Sequence, residues 1–208
     1  MHSLIKFFLT LMFLIVPFTA SAEQGRTINV VIETDKGDIT LELYPEKAPV
    51  TVDNFIQNVK AGLYEGGRFY RASRLDNNPT AKRKILTLIQ GGKNEQKQER
   101  EPIAHETTIQ SGLSHLDGVI SMARLDPGTA TTEFFICIGD NSGLDTGSTR
   151  YEEGKREGYA AFGRVIKGMD VVVAIQQQPT GSRAKDDDDW FGQQLINDTV
   201  VIERVVIQ

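Results

Sequence analysis

The sequence predicts a mainly β protein, built as a closed or nearly closed barrel with one or two helices over its ends. Three observations lead to this prediction. Short apolar segments recur along the chain, and Gly, Pro, Asn and Asp separate them as turn residues. Helical periodicity is rare, and the chain carries no internal repeat. Many short strands with few helices are typical of sandwiches and barrels.

The chain begins its fold with a hairpin and a helix. Residues 27–34 and 38–44 alternate between apolar and polar side chains, and an Asp-Lys-Gly turn lies between them. Pro49 suits the first turn of a helix, because its missing N–H would have no partner there. We expect this helix to reach about Lys60. Its apolar face consists of Val52, Phe55, Ile56 and Val59.

Further strands are expected along the rest of the chain, at residues 66–71, 85–90, 119–123, 133–138, 159–165 and 199–207. Residues 168–176 suit a short helix, although their three valines would equally suit a strand. The four consecutive aspartates at 186–189 predict a solvated loop tip. A calcium loop would need interleaved ligands and a turn glycine.

The segment from Glu133 to Ile138 has two bulky faces. Alternation places Glu133, Phe135 and Cys137 on one face and Phe134, Ile136 and Ile138 on the other. Such a strand is either buried in the core on both sides or lies beside a binding site. A polar residue on the Phe135 face favours the site.

The first twenty-two residues have the organisation of a signal peptide. Lys6 precedes an apolar run that ends in Ala20-Ser21-Ala22, a small-residue cleavage site. The run is too short for an ordinary membrane span. We therefore predict a signal peptide at 1–22, cleaved near Ala22, and one domain at 23–208 that is periplasmic or secreted. The alternative is that the leader remains as a membrane anchor.

Composition excludes several classes of function. A net charge of −5 without basic clusters disfavours nucleic-acid binding. The single cysteine, Cys137, cannot form an internal disulfide. No pair of histidines has metal-ligand spacing, and no phosphate loop or nucleophile motif is present. If the protein is an enzyme, its chemistry needs no nucleophile, metal or cofactor.

Five short motifs follow one another along the chain: Phe69-Tyr70-Arg71, Gln90-Gly91-Gly92, Ser121-Met122-Ala123, Glu133-Phe134-Phe135-Ile136-Cys137 and Phe162-Gly163-Arg164-Val165. In this order and spacing they resemble the cyclophilins, which are peptidyl-prolyl cis-trans isomerases. The resemblance covers residues 28–207. It implies a closed eight-stranded antiparallel barrel capped by two α-helices, with an active groove on its outer face. It also implies a monomer, without cofactor or metal, that acts on proline-containing unfolded or partly folded polypeptides.

The resemblance also assigns site residues. Arg71 is implied as the catalytic arginine. The residues implied to contact substrate are Phe69, Gln90, Ala123, Arg124, Glu133, Phe135, Leu144 and Tyr159.

The chain departs from the family pattern around the predicted groove. Residues 75–84 resemble an insertion, and Thr87 and Leu88 stand where a phenylalanine–methionine pair often lines the pocket. Gly143 replaces an aromatic residue. These changes predict weak sensitivity to cyclosporin-type peptides. They also leave open the alternative of a binding module or holdase with little turnover. If the resemblance is set aside, a further alternative is a secreted β-barrel that holds a small ligand or sugar in its interior.

Overall fold

The structure is a computed structural model that describes residues 25–77, 85–150 and 157–208. The predicted signal peptide at 1–22, its cleavage site and most of the predicted insertion at 75–84 lie outside these residues. Among the helices in the described ranges, none is long and apolar enough to cross a membrane.

Eight strands and three α-helices form the described part of the chain. The strands are β1 (Ile28–Thr34), β2 (Gly37–Leu43), β3 (Gly67–Ser73), β4 (Leu88–Gly92), β5 (Val119–Met122), β6 (Phe134–Cys137), β7 (Ala160–Lys167) and β8 (Leu195–Ile207). The helices are α1 (Pro49–Lys60), α2 (Thr108–Ser111) and α3 (Met169–Gln176), with 3-10 turns at Ser142–Leu144 and Gly192–Gln194.

The strands close into one barrel in the order β1-β2-β7-β5-β6-β4-β3-β8, and β8 pairs with β1 to complete it. Every neighbouring pair is antiparallel. Closure leaves no edge strand with unpaired backbone groups. The predicted eight-stranded closed barrel is therefore confirmed.

Helices α1 and α3 lie at opposite ends of the barrel. Helix α1 follows the end of β2, whereas α3 follows the end of β7, and these two neighbouring strands run antiparallel. Residues 168–176, for which a helix and a strand were both possible, contain α3. Gly168 begins it with a φ of 92°, and a Cβ there would lie 2.2 Å from the Asp38 carbonyl oxygen. Only glycine fits this turn.

The barrel interior is filled by side chains. Aromatic rings from α1, the following loop and three strands pack with centroids 5.1–5.8 Å apart, and they belong to Phe55, Tyr64, Phe69, Phe134 and Phe162. Aliphatic side chains complete this core. A core packed in this way leaves no room for a small ligand inside the barrel, so the interior-ligand alternative is wrong.

Strand β8 begins at Leu195, earlier than the sequence predicts, and this extension matters for the site. Leu195 pairs with Arg71 on β3. The pairing brings the turn Gly192–Gln194, which directly precedes β8, against the outer face of β3.

Candidate active site

Four residues form a row across four neighbouring strands on the outer face of the barrel. Arg71 on β3 pairs with Gln90 on β4, which pairs with Phe135 on β6, and Phe135 pairs with Ser121 on β5. Side chains directly opposite each other on adjacent strands point to the same face. The register thus brings the predicted catalytic arginine, the glutamine and the aromatic floor into one line.

A β-bulge separates Phe69 from Arg71. The register of β3 shifts between these two residues against both β4 and β8. Strict alternation would place both on one face, but an extra residue in the strand reverses the direction of the side chains beyond it. Phe69 therefore points inward, is fully buried and packs on Phe134. The prediction that Phe69 contacts substrate is wrong, because its ring belongs to the barrel core.

Arg71 is held from two sides. Its Nη1 donates to Gln90 Oε1 and its Nε donates to Gln194 Oε1, both at 2.8 Å. The Gln90 Nε2 in turn donates to the hydroxyl of Tyr70 at 2.6 Å, which fixes the orientation of the amide. Burial lowers the pKa of Arg71 from its ordinary value. Because a guanidinium starts from a pKa above 12, the group stays charged.

An apolar pocket lies beside the guanidinium. Phe135, Leu144, Leu88 and Cys137 form a small cluster outside the barrel core, and Ala123 and Tyr159 pack against it. The Tyr159 ring meets the Phe135 ring edge to face, with centroids 5.5 Å apart. The groove that contains this pocket has a volume of about 990 Å³. The structure thus brings Phe135, Leu144, Ala123 and Tyr159 together around one pocket.

Cys137 lies under the groove and is fully buried. Burial raises the pKa of its thiol well above the ordinary value. A thiolate is the reactive form of cysteine, so this side chain acts as a small apolar group rather than as a nucleophile.

Arg124 lies at one edge of the groove. Its guanidinium carbon is 4.8 Å from the centre of the Tyr159 ring, a cation–π distance, and its Nη1 donates to the Leu125 carbonyl at 3.1 Å.

Glu133 lies close to Tyr70 and Gly92, and its carbonyl accepts a hydrogen bond from the Ala123 N–H at 2.8 Å. Burial raises the pKa of its carboxyl group, and its Oε2 is buried without a hydrogen-bond partner. A Cβ on Gly92 would lie 2.0 Å from Glu133 Oε1, so the absence of a side chain at Gly92 makes room for the carboxylate.

Sequence reasoning missed a buried network behind the pocket floor. His115 stacks on Phe135 with ring centroids 5.8 Å apart and an interplanar angle of 18°. Its Nδ1 lies 2.6 Å from Asp145 Oδ1 and its Nε2 lies 2.9 Å from Ser121 Oγ. These are the residue types of a serine nucleophile with its base, but Ser121 and His115 are 0% exposed. Without access to substrate, the network supports the ring of Phe135.

The residues at the start of β4 and just before it differ from the expected pocket wall. Leu86 and Leu88 line the groove. The Thr87 hydroxyl instead donates to the Ile138 carbonyl, and its backbone N–H donates to Asn141. Strand alternation explains the difference, since Leu86, Leu88 and Gln90 share one face. Gly143 lines a neighbouring cleft.

Trp190, Phe191 and Gln194 also line the groove and were not predicted. They lie more than 100 residues from Arg71 in sequence, just after the four aspartates. The only sequence signal for these residues was an aromatic pair next to a run of aspartates. No local pattern indicates that this pair packs beside β3.

The described residues contain no group of three or more His, Cys, Asp or Glu side chains placed to hold a metal ion. The groove instead offers a charged hydrogen-bond donor beside an apolar pocket. That combination can bind an apolar ring while polarising an amide next to it.

Known proteins are similar to this chain in sequence and in architecture. The sequence model of the family described as cyclophilin type peptidyl-prolyl cis-trans isomerase/CLD matches residues 29–205. Peptidyl-prolyl cis-trans isomerase A of Dickeya dadantii is 35% identical over 170 residues, which cover 78% of each chain. Peptidyl-prolyl cis-trans isomerase B of Escherichia coli is 33% identical over 183 residues, which cover 86% of this chain and 98% of that protein.

Solved structures show the same fold. A cyclophilin-type isomerase of Cryptosporidium parvum superposes with a TM-score of 0.65 at 22% identity, covering 88% of this chain and 98% of that one. A second structure of that protein, determined in the presence of the dipeptide Ala-Pro, superposes with a TM-score of 0.63 at 22% identity, covering 86% and 98%. Because the family match spans most of the sequence, the chain belongs to the cyclophilin-type peptidyl-prolyl cis-trans isomerases.

Proposed function

We propose that this chain is an exported prolyl isomerase, with Arg71 as its catalytic residue, and that it accelerates X-Pro isomerisation during folding of periplasmic or secreted proteins. The observation that carries the assignment of Arg71 is the row of Arg71, Gln90 and Phe135 on the outer face of the barrel. The leader at 1–22 supports export. The substrates are proline-containing unfolded or partly folded chains, and we infer a monomer that does not bind nucleic acid.

The reaction suits a groove of this composition. Resonance in the amide sets a rotation barrier of about 18–20 kcal/mol. The two X-Pro isomers differ little in energy, yet they interconvert over tens to hundreds of seconds. No bond is broken, so catalysis requires only that the twisted amide bind more tightly than either planar form. A groove without nucleophile, metal or cofactor is sufficient for this.

Arg71 has the properties that the twisted state requires. As the amide twists, the lone pair returns to the proline nitrogen, which can then accept a hydrogen bond. The guanidinium remains charged and holds its donors in a fixed geometry. Its hydrogen bonds to Gln90 and Gln194 orient it before substrate arrives. We propose that its remaining donor capacity serves the proline nitrogen.

The other predicted residues complete the groove. Phe135 and Leu144 would hold the pyrrolidine ring while the amide rotates. Gln90 would contact the substrate backbone, and Ala123, Arg124, Glu133 and Tyr159 would form the edges. The apolar wall lowers the local dielectric and strengthens the arginine contact.

Export is tested on protein recovered from cells that express the whole chain. We expect it in the periplasmic or extracellular fraction, with an intact mass that corresponds to an N-terminus at Glu23. Recovery in the cytoplasmic fraction with residues 1–22 intact would contradict export. A membrane fraction that retains the leader would indicate the anchored alternative.

Turnover is tested on the mature chain with a tetrapeptide that contains one X-Pro bond. We expect exchange between the isomers to accelerate at enzyme concentrations far below that of the peptide. A holdase would instead suppress aggregation of an unfolded protein without changing the exchange rate.

A further inference from the structure

The loop between α3 and β8 is organised around the side chain of Asp189. Its carboxylate accepts hydrogen bonds from the backbone N–H of Lys185 at 3.1 Å and of Gly192 at 2.9 Å. These bonds lower the pKa of Asp189. A Cβ on Gly192 would lie 2.8 Å from the Cα of Ala184 and still closer to the carboxylate, so the tight crossing needs glycine. The last aspartate of the predicted loop tip thus fixes the fold of the loop.

This loop places two aromatic rings directly against Arg71. The guanidinium carbon lies 5.6 Å from the centre of the Trp190 ring and 5.2 Å from that of Phe191, both at cation–π distance. The two rings meet edge to face at 5.7 Å. Gln194, three residues after Phe191, accepts a hydrogen bond from Arg71 Nε. Three residues of one loop therefore hold the catalytic side chain on the side away from Gln90.

Both rings remain partly open to solvent, although they line the same groove as Phe135. Trp190 is 55% exposed and Phe191 is 40% exposed. Large aromatic side chains bury most of their surface when their role is only to pack. Here each ring offers uncovered apolar area at the edge of the groove, where a bound peptide would cover it. Such residues are typical anchors of recognition sites.

We propose that Trp190 and Phe191 form a wall of the substrate groove, which positions the Arg71 guanidinium and contacts the substrate residue next to proline. This inference rests on the proposed function of the groove and names part of its substrate class. A wall of two rings favours a large apolar residue beside proline, such as leucine or phenylalanine, over alanine.

The main test compares isomerisation of peptides that differ only in the residue before proline, namely alanine, leucine or phenylalanine. For the wild-type chain we expect kcat/KM for the leucine and phenylalanine peptides to exceed that for alanine by about tenfold or more. Trp190→Ala and Phe191→Ala should remove this preference by raising KM for the leucine and phenylalanine peptides. They should also lower kcat for all three peptides, because Arg71 loses the rings that position it. Trp190→Phe, which keeps an aromatic ring, should retain most of the preference.

Ile109→Ala is a matched control, because Ile109 is an apolar side chain that is 76% exposed and does not line the groove. Ile109→Ala should change neither kcat nor the preference for a large apolar residue before proline. Equal preferences in wild type, Trp190→Ala and Phe191→Ala would overturn the inference while leaving the isomerase assignment intact. No catalysis by wild-type protein on any peptide would instead contradict the proposed function.

Fluorescence provides a second readout, since Trp190 is the only tryptophan in the chain. Covering its ring with a peptide should shift the emission to shorter wavelength, with a midpoint equal to the peptide dissociation constant measured by NMR. Emission that stays constant at saturating peptide would overturn the contact between substrate and Trp190.

Discussion

Replacing Glu133 with glutamine should raise the thermal midpoint of unfolding at pH 7. The Glu133 carboxylate is half-buried beside Tyr70, and its Oε2 lacks a hydrogen-bond partner. Burial raises its pKa and outweighs the opposing effect of a hydrogen bond with Tyr70. Ionisation therefore opposes folding. A buried carboxylate without a full set of partners costs about 1–3 kcal/mol, and the neutral amide of glutamine avoids the part of this cost that comes from the charge. In a domain of this size that free energy corresponds to a rise of roughly 2–12 °C in Tm.

The pH dependence of this gain follows from the direction of the pKa shift. Below the ordinary value of 4.5 the carboxyl group is protonated in both folded and unfolded chains, and ionisation contributes nothing. Between that value and the raised folded pKa, the folded state holds the extra proton, so stability falls as pH rises. Above both values the loss is complete. The advantage of Glu133→Gln should thus be present at pH 7, grow as pH rises through the folded pKa, and disappear below about pH 4.

Differential scanning calorimetry between pH 3.5 and 8 measures this directly. Glu101→Gln is the matched control, since it removes an equal charge from an exposed position and should shift Tm little at any pH. A Glu133→Gln variant as stable as wild type at pH 7, or one whose gain is the same at pH 3.5, would refute the reasoning.

Three further predictions concern the pocket. Phe135→Leu keeps an apolar side chain but removes the flat floor, so kcat/KM should fall by about tenfold or more, mainly through KM, while circular dichroism stays unchanged. Burial alone would raise the pKa of the Asp145 carboxyl group. Hydrogen bonds from His115 and Ser114 have the larger effect, so the pKa is lowered. Asp145→Asn should therefore lower Tm at neutral pH, by an amount that shrinks below about pH 4 in thermal melts. Cyclosporin-type peptides should inhibit peptide isomerisation weakly, and a nanomolar inhibition constant would contradict this.

Local patterns were enough to predict much of the barrel. Alternation located the strands, and Pro49 marked the start of α1. The roles of Arg71, Gln90 and Phe135 were assigned by resemblance to a family. No single segment of the sequence determines which strands are neighbours or in what register they pair. Once the register is known, the physical reason is plain: these residues are direct cross-strand neighbours.

The misplacement of Phe69 has a specific physical cause. The resemblance implied that Phe69 contacts substrate, and strict alternation would place it on the same face as Arg71, but a single bulge between them reverses that relation. A bulge depends on how two partner strands are paired, so the sequence of one strand does not reveal it. Trp190 and Phe191 were missed for a related reason. Their position depends on the loop that Asp189 and Gly192 organise. This loop packs against β3, which is distant in sequence.

We propose that the Arg71 guanidinium stabilises the twisted amide more than the planar one. NMR exchange spectroscopy on an X-Pro peptide measures both isomerisation and binding with the wild-type chain and with Arg71→Ala. We expect kcat/KM to fall by about 100–1000-fold, the loss typical of removing one preorganised transition-state donor. Peptide affinity should change far less. An Arg71→Ala variant that isomerises the peptide at the wild-type rate, with its fold intact, would contradict the account.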